Sequence, residues 1–172
     1  RLSGNHPAKK RENMKLLLTG FTPFPGVEVN PSAVVVERVT VPADIELIRV
    51  ILPVIFTTAG EQLKGLIRQH QPDAVIMLGV AAGRESICLE RFALNINDAP
   101  KPDNEGTLAS GNPIVPDGPD AYRSTLPLDA LLAQMNTAHV PVKYSNHAGA
   151  YLCNHVFYVA RHQIESESLS IP

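Results

Sequence analysis

Short runs of apolar residues alternate along the chain with longer amphipathic segments. The apolar runs predict strands, and the segments with apolar side chains every three or four residues predict helices. The predicted strands cover residues 15–20, 45–52, 73–79, 87–97 and 140–145, and the predicted helices cover residues 30–39, 57–71, 126–138 and 151–167. This alternation is typical of an α/β three-layer sandwich, with a mainly parallel, twisted sheet and helices on both faces.

Local signals predict where the first two helices begin and end. Asn30 precedes Pro31 at the start of the first helix, where an Asn side chain caps free N–H groups and Pro needs no partner. Thr58 and Glu61 have the spacing of a capping box, which predicts the start of the second helix. Pro72 then ends that helix.

Two stretches fall outside this alternation. Residues 98–119 are polar and rich in Pro and Gly, and a loop of this length inside a compact domain indicates a functional excursion. Residues 1–13 have no periodicity, so we interpret them as a disordered leader or a remnant of cloning. Residues 14–172 then form a single α/β domain.

Composition narrows the classes of function. The 172 residues are 44% hydrophobic and 19% charged with a formal net charge of −2, which is ordinary for a globular protein and argues against nucleic-acid binding. No apolar run approaches the roughly 18 residues of a membrane span. The two cysteines fit neither a disulfide framework nor a zinc site, so we expect a cytoplasmic protein with free thiols.

Ligands of open α/β sheets bind beyond the carboxyl ends of the strands, and three stretches of this chain fall there. They are GFTPFPG, GVAAGRES and NHAGAY. Cys153 follows the last stretch in the first turn of a helix, where N–H groups and the helix dipole would lower the pKa of a thiol. It is either a reactive nucleophile or a buried cysteine that packs as a small apolar side chain. Cys88 lies in an extended segment without such a setting, and we expect it to be inert.

Three further side chains near the strand ends are candidates for chemistry. Glu90 lies either on the solvent face of an alternating strand or inside a site. Phe21 and Phe24 are expected in a loop, where they would either line an apolar substrate pocket or pack as a small satellite core.

Two histidines lie close to Cys153 in the sequence. His155 is two residues further along the same predicted helix, so its side chain is expected to point in another direction. His147, in the preceding turn, is the one histidine of the chain positioned to take the thiol proton, and this signal is weak.

The stretches LLTGFTPF…NPS, GRESICLERFALN, PDNEG and AGAYLCNHVFY occur in this order along the chain. On these stretches the chain resembles pyroglutamyl peptidase I, also called pyrrolidone carboxyl peptidase, from Met14 to about Tyr158. The resemblance implies a phosphorylase/hydrolase-like fold and a cytoplasmic thiol protease, commonly a homotetramer, that needs no cofactor or metal. Its expected activity is removal of N-terminal pyroglutamate (5-oxoproline) from peptides and amides by thiolate attack.

The resemblance also implies roles for individual residues. Cys153 matches the nucleophile, and Glu90 matches the acidic member of a Cys-His-Glu triad. Phe21 and Phe24 match aromatic side chains that line the pocket for the pyroglutamyl ring, and Asn30 matches a loop residue beside that pocket.

Other positions match less closely. Asp103 of PDNEG matches a further acidic residue near the site. Pro25 stands at the second position of the family's FGG, and Val80 stands where many bacterial members carry a glutamine near the ring. The family's triad histidine follows the cysteine helix beyond Pro172, so the domain is expected to lack its C-terminal part and that histidine.

Two alternatives remain open from the sequence. The chain could be a non-catalytic or inactive member of the same fold. It could also be a nucleoside-phosphorylase-like transferase, which would need basic side chains around a phosphate, and only Arg84 lies near a candidate loop.

Overall fold

Strands and helices alternate from Met14 to Met77 and again from Leu128 to Ser166, and five strands follow one another between the second and third helices. The computed structural model describes residues 13–171, so the predicted leader lies outside the described residues except for its last position. The strands are β1 (Met14–Phe21), β2 (Ile45–Leu52), β3 (Ala74–Met77), β4 (Ile87–Leu94), β5 (Asn97–Asp98), β6 (Ser110–Asn112), β7 (Ala121–Arg123) and β8 (Val142–His147). The helices are α1 (Pro31–Arg38), α2 (Phe56–His70), α3 (Leu128–Thr137) and α4 (Leu152–Ser166). Within residues 13–171, no helix has the length and apolar character that crossing a bilayer requires.

The strands form two three-stranded sheets and one ribbon. In the first sheet β1 lies between β2 and β3 and runs parallel to both. In the second sheet β4 lies between β8, which is parallel to it, and β7, which is antiparallel. β5 and β6 form the antiparallel ribbon. The α/β class with mainly parallel strands is confirmed, although the strands are divided between two sheets.

β1 is buried on both faces, which explains why its sequence is apolar throughout. Leu17 and Phe21 pack into the main hydrophobic core with side chains of α2 and α4. Leu18 points to the opposite face, because side chains alternate along a strand, and it is also buried. Gly20, on that second face, approaches α1 so closely that a Cβ would lie 2.8 Å from the backbone of Ser32. Helices therefore cover both faces of this sheet.

The starts of α1 and α2 depend on two different caps. Asn30 caps α1 as predicted, with Oδ1 accepting the N–H of Ser32 at 3.1 Å. α2 begins at Phe56, earlier than the predicted capping residue Thr58, and its first N–H donates to Asp103 Oδ2 at 2.9 Å. The capping-box prediction is wrong because a carboxylate from a distant segment supplies the cap.

The polar segment 98–119 is held against the rest of the fold by side-chain hydrogen bonds to its backbone. Asn95 Nδ2 donates to the carbonyl oxygen of Val115 at 2.8 Å, and the hydroxyl of Tyr158 donates to that of Pro119 at 2.7 Å. The segment contains β6 and leads into β7, two short strands that the hydrophobic pattern does not predict. These bonds, together with backbone hydrogen bonds and the packing of Ala109 against the core, hold the segment in place.

Candidate active site

Cys153 is the second residue of α4, just beyond the carboxyl end of β8. Gly149 adopts a φ of +86° in the intervening turn, a conformation that side chains with a Cβ rarely adopt. The cysteine therefore lies in the first turn of a helix after a Gly-containing turn, as the sequence predicts. Gly79, just beyond β3, lies directly against the thiol, because a Cβ at this position would overlap Cys153 Sγ.

The surroundings of Cys153 disfavour the thiolate. Burial, followed by the charge of Glu90, raises the pKa of the Cys153 thiol to about 11. The backbone N–H groups of Val80 and of Cys153 itself, and the charge of Arg84, act in the opposite direction and are outweighed. The lowered pKa predicted from the helix N-terminus is wrong, because desolvation of the sulfur exceeds what the first turn contributes. The thiol is protonated at neutral pH and needs a base to become a nucleophile.

Glu90 projects from β4 into a cavity that Cys153 also lines, and its side chain is only 20% exposed. Its Oε1 accepts a 2.8 Å hydrogen bond from Arg84 Nη1. Its Oε2 is buried and has no hydrogen-bond partner among the described residues. A buried carboxylate oxygen without a donor is costly, so this atom indicates a place for a group that carries a proton.

A small cavity of about 40 Å³ adjoins Cys153 next to the end of β1. It is lined by Phe21, Phe24, Asn30, Val54, Val80, Tyr151, Leu152 and Cys153. Phe21 is the last residue of β1 rather than a loop residue, and at 3% exposure it belongs to the hydrophobic core as well as to the cavity wall. Phe24 is half-buried and packs against that core. Phe21 therefore belongs to the main core rather than to a satellite core, and a role for its cavity face in substrate binding stays a prediction.

Asn30 reaches the small cavity, but its polar atoms hold the loop around it. Its Oδ1 accepts hydrogen bonds from the N–H of Ser32 at 3.1 Å and from its hydroxyl at 2.7 Å. Its Nδ2 donates to the carbonyl oxygen of Thr22 at 3.0 Å. The hydroxyl oxygen of Ser32 in turn accepts the N–H of Phe21 at 3.0 Å. Asn30 thus positions the aromatic wall of the cavity through Ser32.

Asp103 lies outside the lining of the small cavity and is 3% exposed. Burial opposes its ionisation, but hydrogen bonds from the backbone N–H groups of Phe56, Thr107 and Glu105 hold the pKa of Asp103 below its ordinary value. It is therefore a charged cap for α2 that also organises its own turn. The acidic residue matched by resemblance has a supporting place in this structure, behind the cavity wall.

Asn104 ties two loops together beside the small cavity. Its Nδ2 donates to the carbonyl oxygen of Pro23 at 3.0 Å, and its backbone N–H donates to that of Val54 at 2.9 Å. We call residues 22–29 the cavity loop and residues 102–107 the clamp segment. Asp103 and Asn104 of the clamp segment together link the start of α2 to the cavity loop.

Three lining residues were not singled out from the sequence. Tyr151 packs edge-on against Phe56 with ring centroids 5.4 Å apart, and its hydroxyl donates to the carbonyl oxygen of Pro102 at 2.9 Å. Leu152 is buried beside it, and Val54 comes from the segment after β2. Two signals could have identified them: Tyr151 and Leu152 directly precede Cys153, and Val54 lies beyond the carboxyl end of a strand.

The two histidines near Cys153 in sequence have other partners. His155 is half-buried, its Nδ1 lies 3.1 Å from Asn97 Oδ1, and burial lowers the pKa of its imidazole to about 4. His147 is exposed, and its Nδ1 accepts a backbone N–H from the turn that follows. Among the described residues, no histidine forms a hydrogen bond with Cys153, in agreement with the expected direction of His155. Nor does that part of the chain bring three His, Cys, Asp or Glu side chains together as metal ligands.

Comparison with known proteins shows which family the chain resembles in sequence and structure. Residues 14–171 match the family model described as pyroglutamyl peptidase. The pyrrolidone-carboxylate peptidase of Oceanobacillus iheyensis is 45% identical over 159 residues, which are 91% of this chain and 79% of that protein. The protein of the same name from Pyrococcus furiosus is 41% identical over 157 residues, covering 87% of this chain and 73% of the relative.

Solved structures agree with the sequence match. The crystal structure of Bacillus amyloliquefaciens pyroglutamyl peptidase I superposes with a TM-score of 0.88 at 37% identity, covering 92% of this chain and 78% of the other. A mutant pyrrolidone carboxyl peptidase (E192V) from Pyrococcus furiosus gives the same TM-score at 38% identity, covering 91% and 76%.

Proposed function

The chain belongs to the pyroglutamyl peptidase family, and we propose that Cys153 is the nucleophile with which it removes N-terminal pyroglutamate from peptides and amides. The observation that supports this assignment best is that Cys153 lines two cavities. Its thiol borders the small apolar cavity on one side and shares a second cavity with Glu90 on the other. A nucleophile between a small apolar cavity and an acidic side chain suits acyl transfer from an uncharged cyclic substrate.

The small cavity is the proposed site of the pyroglutamyl ring. The lactam is uncharged, so a mainly apolar lining between Phe21 and Phe24 suits it. The polar atoms of Asn30 are already engaged, and the hydroxyl of Tyr151 is bonded to Pro102. Polar contacts to the ring would therefore come from the backbone. A free, charged amino terminus would lose its hydration in this cavity without gaining an ion pair, so unblocked peptides are rejected.

The proposed reaction runs through a thioester. A base removes the thiol proton, Cys153 Sγ bonds to the pyroglutamyl carbonyl carbon, and the carbon–nitrogen bond to the leaving amine then breaks as the amine takes up a proton. Water afterwards hydrolyses the thioester and releases pyroglutamate. The backbone N–H groups of Val80 and Cys153, which lower the pKa of the thiol, are proposed to stabilise the oxyanion.

Glu90 is proposed to orient the base. Its Oε1 is held by Arg84, whereas its buried Oε2 has no donor within residues 13–171. The family resemblance assigns the base to a histidine, and an imidazole that donates to Oε2 would be fixed in one tautomer with its other nitrogen free for the thiol proton. The pairing of Arg84 with Glu90 also speaks against a phosphorylase-like reaction, because this guanidinium is already neutralised.

The assignment of the nucleophile is tested with two cysteine variants and a chromogenic pyroglutamyl amide. Cys153→Ser is expected to lower kcat/KM by several orders of magnitude, as loss of a catalytic nucleophile does. Cys88→Ser is the matched control and is expected to keep most of the activity. Retained activity in Cys153→Ser, or its loss only in Cys88→Ser, would contradict the assignment.

Two further properties are proposed from the resemblance. We propose that the protein works in the cytoplasm and as a homo-oligomer, a tetramer in the form that the family commonly takes. Light scattering coupled to size-exclusion chromatography tests the oligomeric state, and cell fractionation tests the location. A monomer at micromolar concentration would contradict the first of these proposals.

A further inference from the structure

Asn154 directly follows Cys153 in the first turn of α4, and its side chain is completely buried. Its Oδ1 accepts the backbone N–H of Leu94 at 2.8 Å. Its Nδ2 donates to the carbonyl oxygen of Leu94 at 2.9 Å and to that of Ile96 at 3.1 Å. The amide therefore uses its acceptor and both of its donor hydrogens on one short stretch of backbone, which fixes its orientation.

These hydrogen bonds extend the ladder between β4 and β8 beyond the end of β8. The two parallel strands pair up to Phe92 and His147, and the chain then leaves the sheet for the turn before α4. Leu94 lies two residues further along β4, past the last residue of β8. A carboxamide carries a donor and an acceptor, as a peptide group does. The side chain of Asn154 therefore bonds to both the N–H and the carbonyl of Leu94 where a residue of β8 would otherwise pair.

Residues 94–98, which we call the anchor segment, are bonded to the chain on both sides of the thiol. The backbone N–H of Asp98 donates to the carbonyl oxygen of Ala150 at 2.9 Å, just before α4, and Asn154 bonds to the segment just after the thiol. The anchor segment begins at the last residue of β4, the strand that carries Glu90. The turn that holds the thiol is thus joined directly to the strand that holds the carboxylate.

Resting on the proposed function, we infer that Asn154 is a positioning residue, which holds the first turn of α4 on the anchor segment and thereby fixes the Cys153 thiol relative to Glu90. There is no spare room around the sulfur on the side of β3, because a Cβ at Gly79 would overlap Sγ. A small movement of the turn therefore changes what touches the sulfur. Without the amide of Asn154 the turn is free to move, and water reaches the thiol. The thiol then reacts more readily with a small reagent and is less well placed for the carbonyl of a substrate.

Asn95 provides a comparison that separates positioning from stability. Its Nδ2 donates to the carbonyl oxygens of Val115 at 2.8 Å and Gly118 at 3.2 Å, and its Oδ1 accepts the N–H of Val115 at 2.9 Å. It therefore makes three hydrogen bonds to backbone groups, as Asn154 does, but these hold the polar segment 98–119 and not the helix with the thiol. Truncation of either side chain leaves backbone groups without a partner and lowers stability. An effect through stability alone would make the two variants alike.

The first measurement is alkylation by iodoacetamide, without substrate, of Cys88→Ser protein that also carries Asn154→Ala or Asn95→Ala. Burial, followed by the charge of Glu90, raises the pKa of the remaining thiol to about 11. Access of water to the sulfur should lower this pKa, so the rate at pH 8 is expected to rise about tenfold in Asn154→Ala, as a shift of one pKa unit gives. Asn95→Ala should leave the rate unchanged. No change in Asn154→Ala, or equal changes in both variants, would overturn the inference.

The second measurement is kcat on a chromogenic pyroglutamyl amide, with urea unfolding of both variants. Asn154→Ala is expected to lower kcat by about 100-fold, the size of effect expected of a displacement of about 1 Å, and Asn95→Ala should change kcat little at a similar loss of stability. Equal losses of kcat would overturn the inference. Absence of hydrolysis by the wild type would contradict only the proposed function, because the alkylation rates test the positioning role without a substrate.

A second variant keeps the test decisive if Asn154→Ala does not fold. Asn154→Ser removes the same three hydrogen bonds, but its hydroxyl can bond to a carbonyl within α4, and the same results are expected of it. If neither variant folds where Asn95→Ala does, Asn154 is a residue of general stability and the inference is overturned.

Discussion

Gly79 and Cys153 are packed so closely that no side chain fits between the end of β3 and the thiol: a Cβ at Gly79 would overlap Sγ. The same point lies 3.9 Å from a ring carbon of Phe21, so the glycine also faces the wall of the small cavity. Gly79 does not have a positive φ, so its backbone conformation does not require glycine. Space, and not backbone conformation, is thus the reason for glycine here.

Gly79→Ala is expected to displace the thiol and to lower kcat/KM on pyroglutamyl amides by about 100-fold, since a shift of about 1 Å at a reacting group has an effect of this size. Gly65→Ala is the matched control: Gly65 lies in α2 with no atom near its added Cβ, and the change should raise stability by about 0.5–1 kcal/mol. Activity assays and thermal unfolding of both variants check this. Wild-type activity in Gly79→Ala would show that the close contact has no catalytic consequence.

The raised pKa of Cys153 predicts how its reactivity depends on pH. Below a pKa of about 11 the thiolate fraction, and with it the rate of alkylation by iodoacetamide, rises about tenfold per pH unit. The measurement uses Cys88→Ser protein without substrate between pH 7 and pH 10, so that one thiol reacts. A rate that levels off near pH 7 would mean that the thiolate is stabilised, as expected from the helix N-terminus alone.

Phe21 and Phe24 should respond differently to truncation. Phe21→Ala removes a core side chain and is expected to lower the free energy of unfolding by about 3–5 kcal/mol, together with substrate affinity. Phe24→Ala removes a half-buried side chain and should raise KM with a much smaller loss of stability. Phe92→Ala, which is 37% exposed and outside the cavity, is the control. Urea unfolding and steady-state kinetics distinguish the effects, and an unchanged KM for Phe24→Ala would remove it from the ring site.

Asp103→Ala is expected to lower the free energy of unfolding by about 1–3 kcal/mol at pH 7, because it leaves buried backbone N–H groups without an acceptor. The pKa of Asp103 is held below its ordinary value in the folded state, so its charge stabilises the fold above about pH 4 and this contribution is lost as the pH falls through the folded pKa. The difference between wild type and variant should therefore shrink from pH 7 to pH 3. Glu105→Ala, an exposed neighbour, should show little of either effect.

Features that depend on neighbouring residues were predicted well from the sequence. Contacts between residues far apart in the chain could not be predicted from it. Asn30 caps a helix that starts at the next residue, and Cys153 lies in the first turn of a helix after a glycine turn, so neighbouring residues carried both signals. The cap of α2 comes from Asp103, 47 residues beyond Phe56, and no pattern around Thr58 reveals it.

The prediction of a lowered pKa for Cys153 failed for the same reason. Its desolvation comes from segments far apart in the chain, among them Gly79 and the end of β1, which meet only in the folded protein. A helix N-terminus is visible in sequence, whereas the exclusion of water from a sulfur atom is a property of tertiary packing.

The clamp segment has a consequence for local unfolding. Asp103 of this segment accepts a hydrogen bond from the first N–H of α2, and Asn104 donates one to the cavity loop. Loss of either hydrogen bond would therefore loosen the segment and weaken the other hydrogen bond. The start of the helix and the aromatic side of the ring site should then open as one cooperative unit in amide hydrogen exchange. Local unfolding that exposes the N–H of Phe56 to deuterium exchange would also free the loop that carries Phe24. The stability of the start of α2 would then control how often the ring site is in its ordered form.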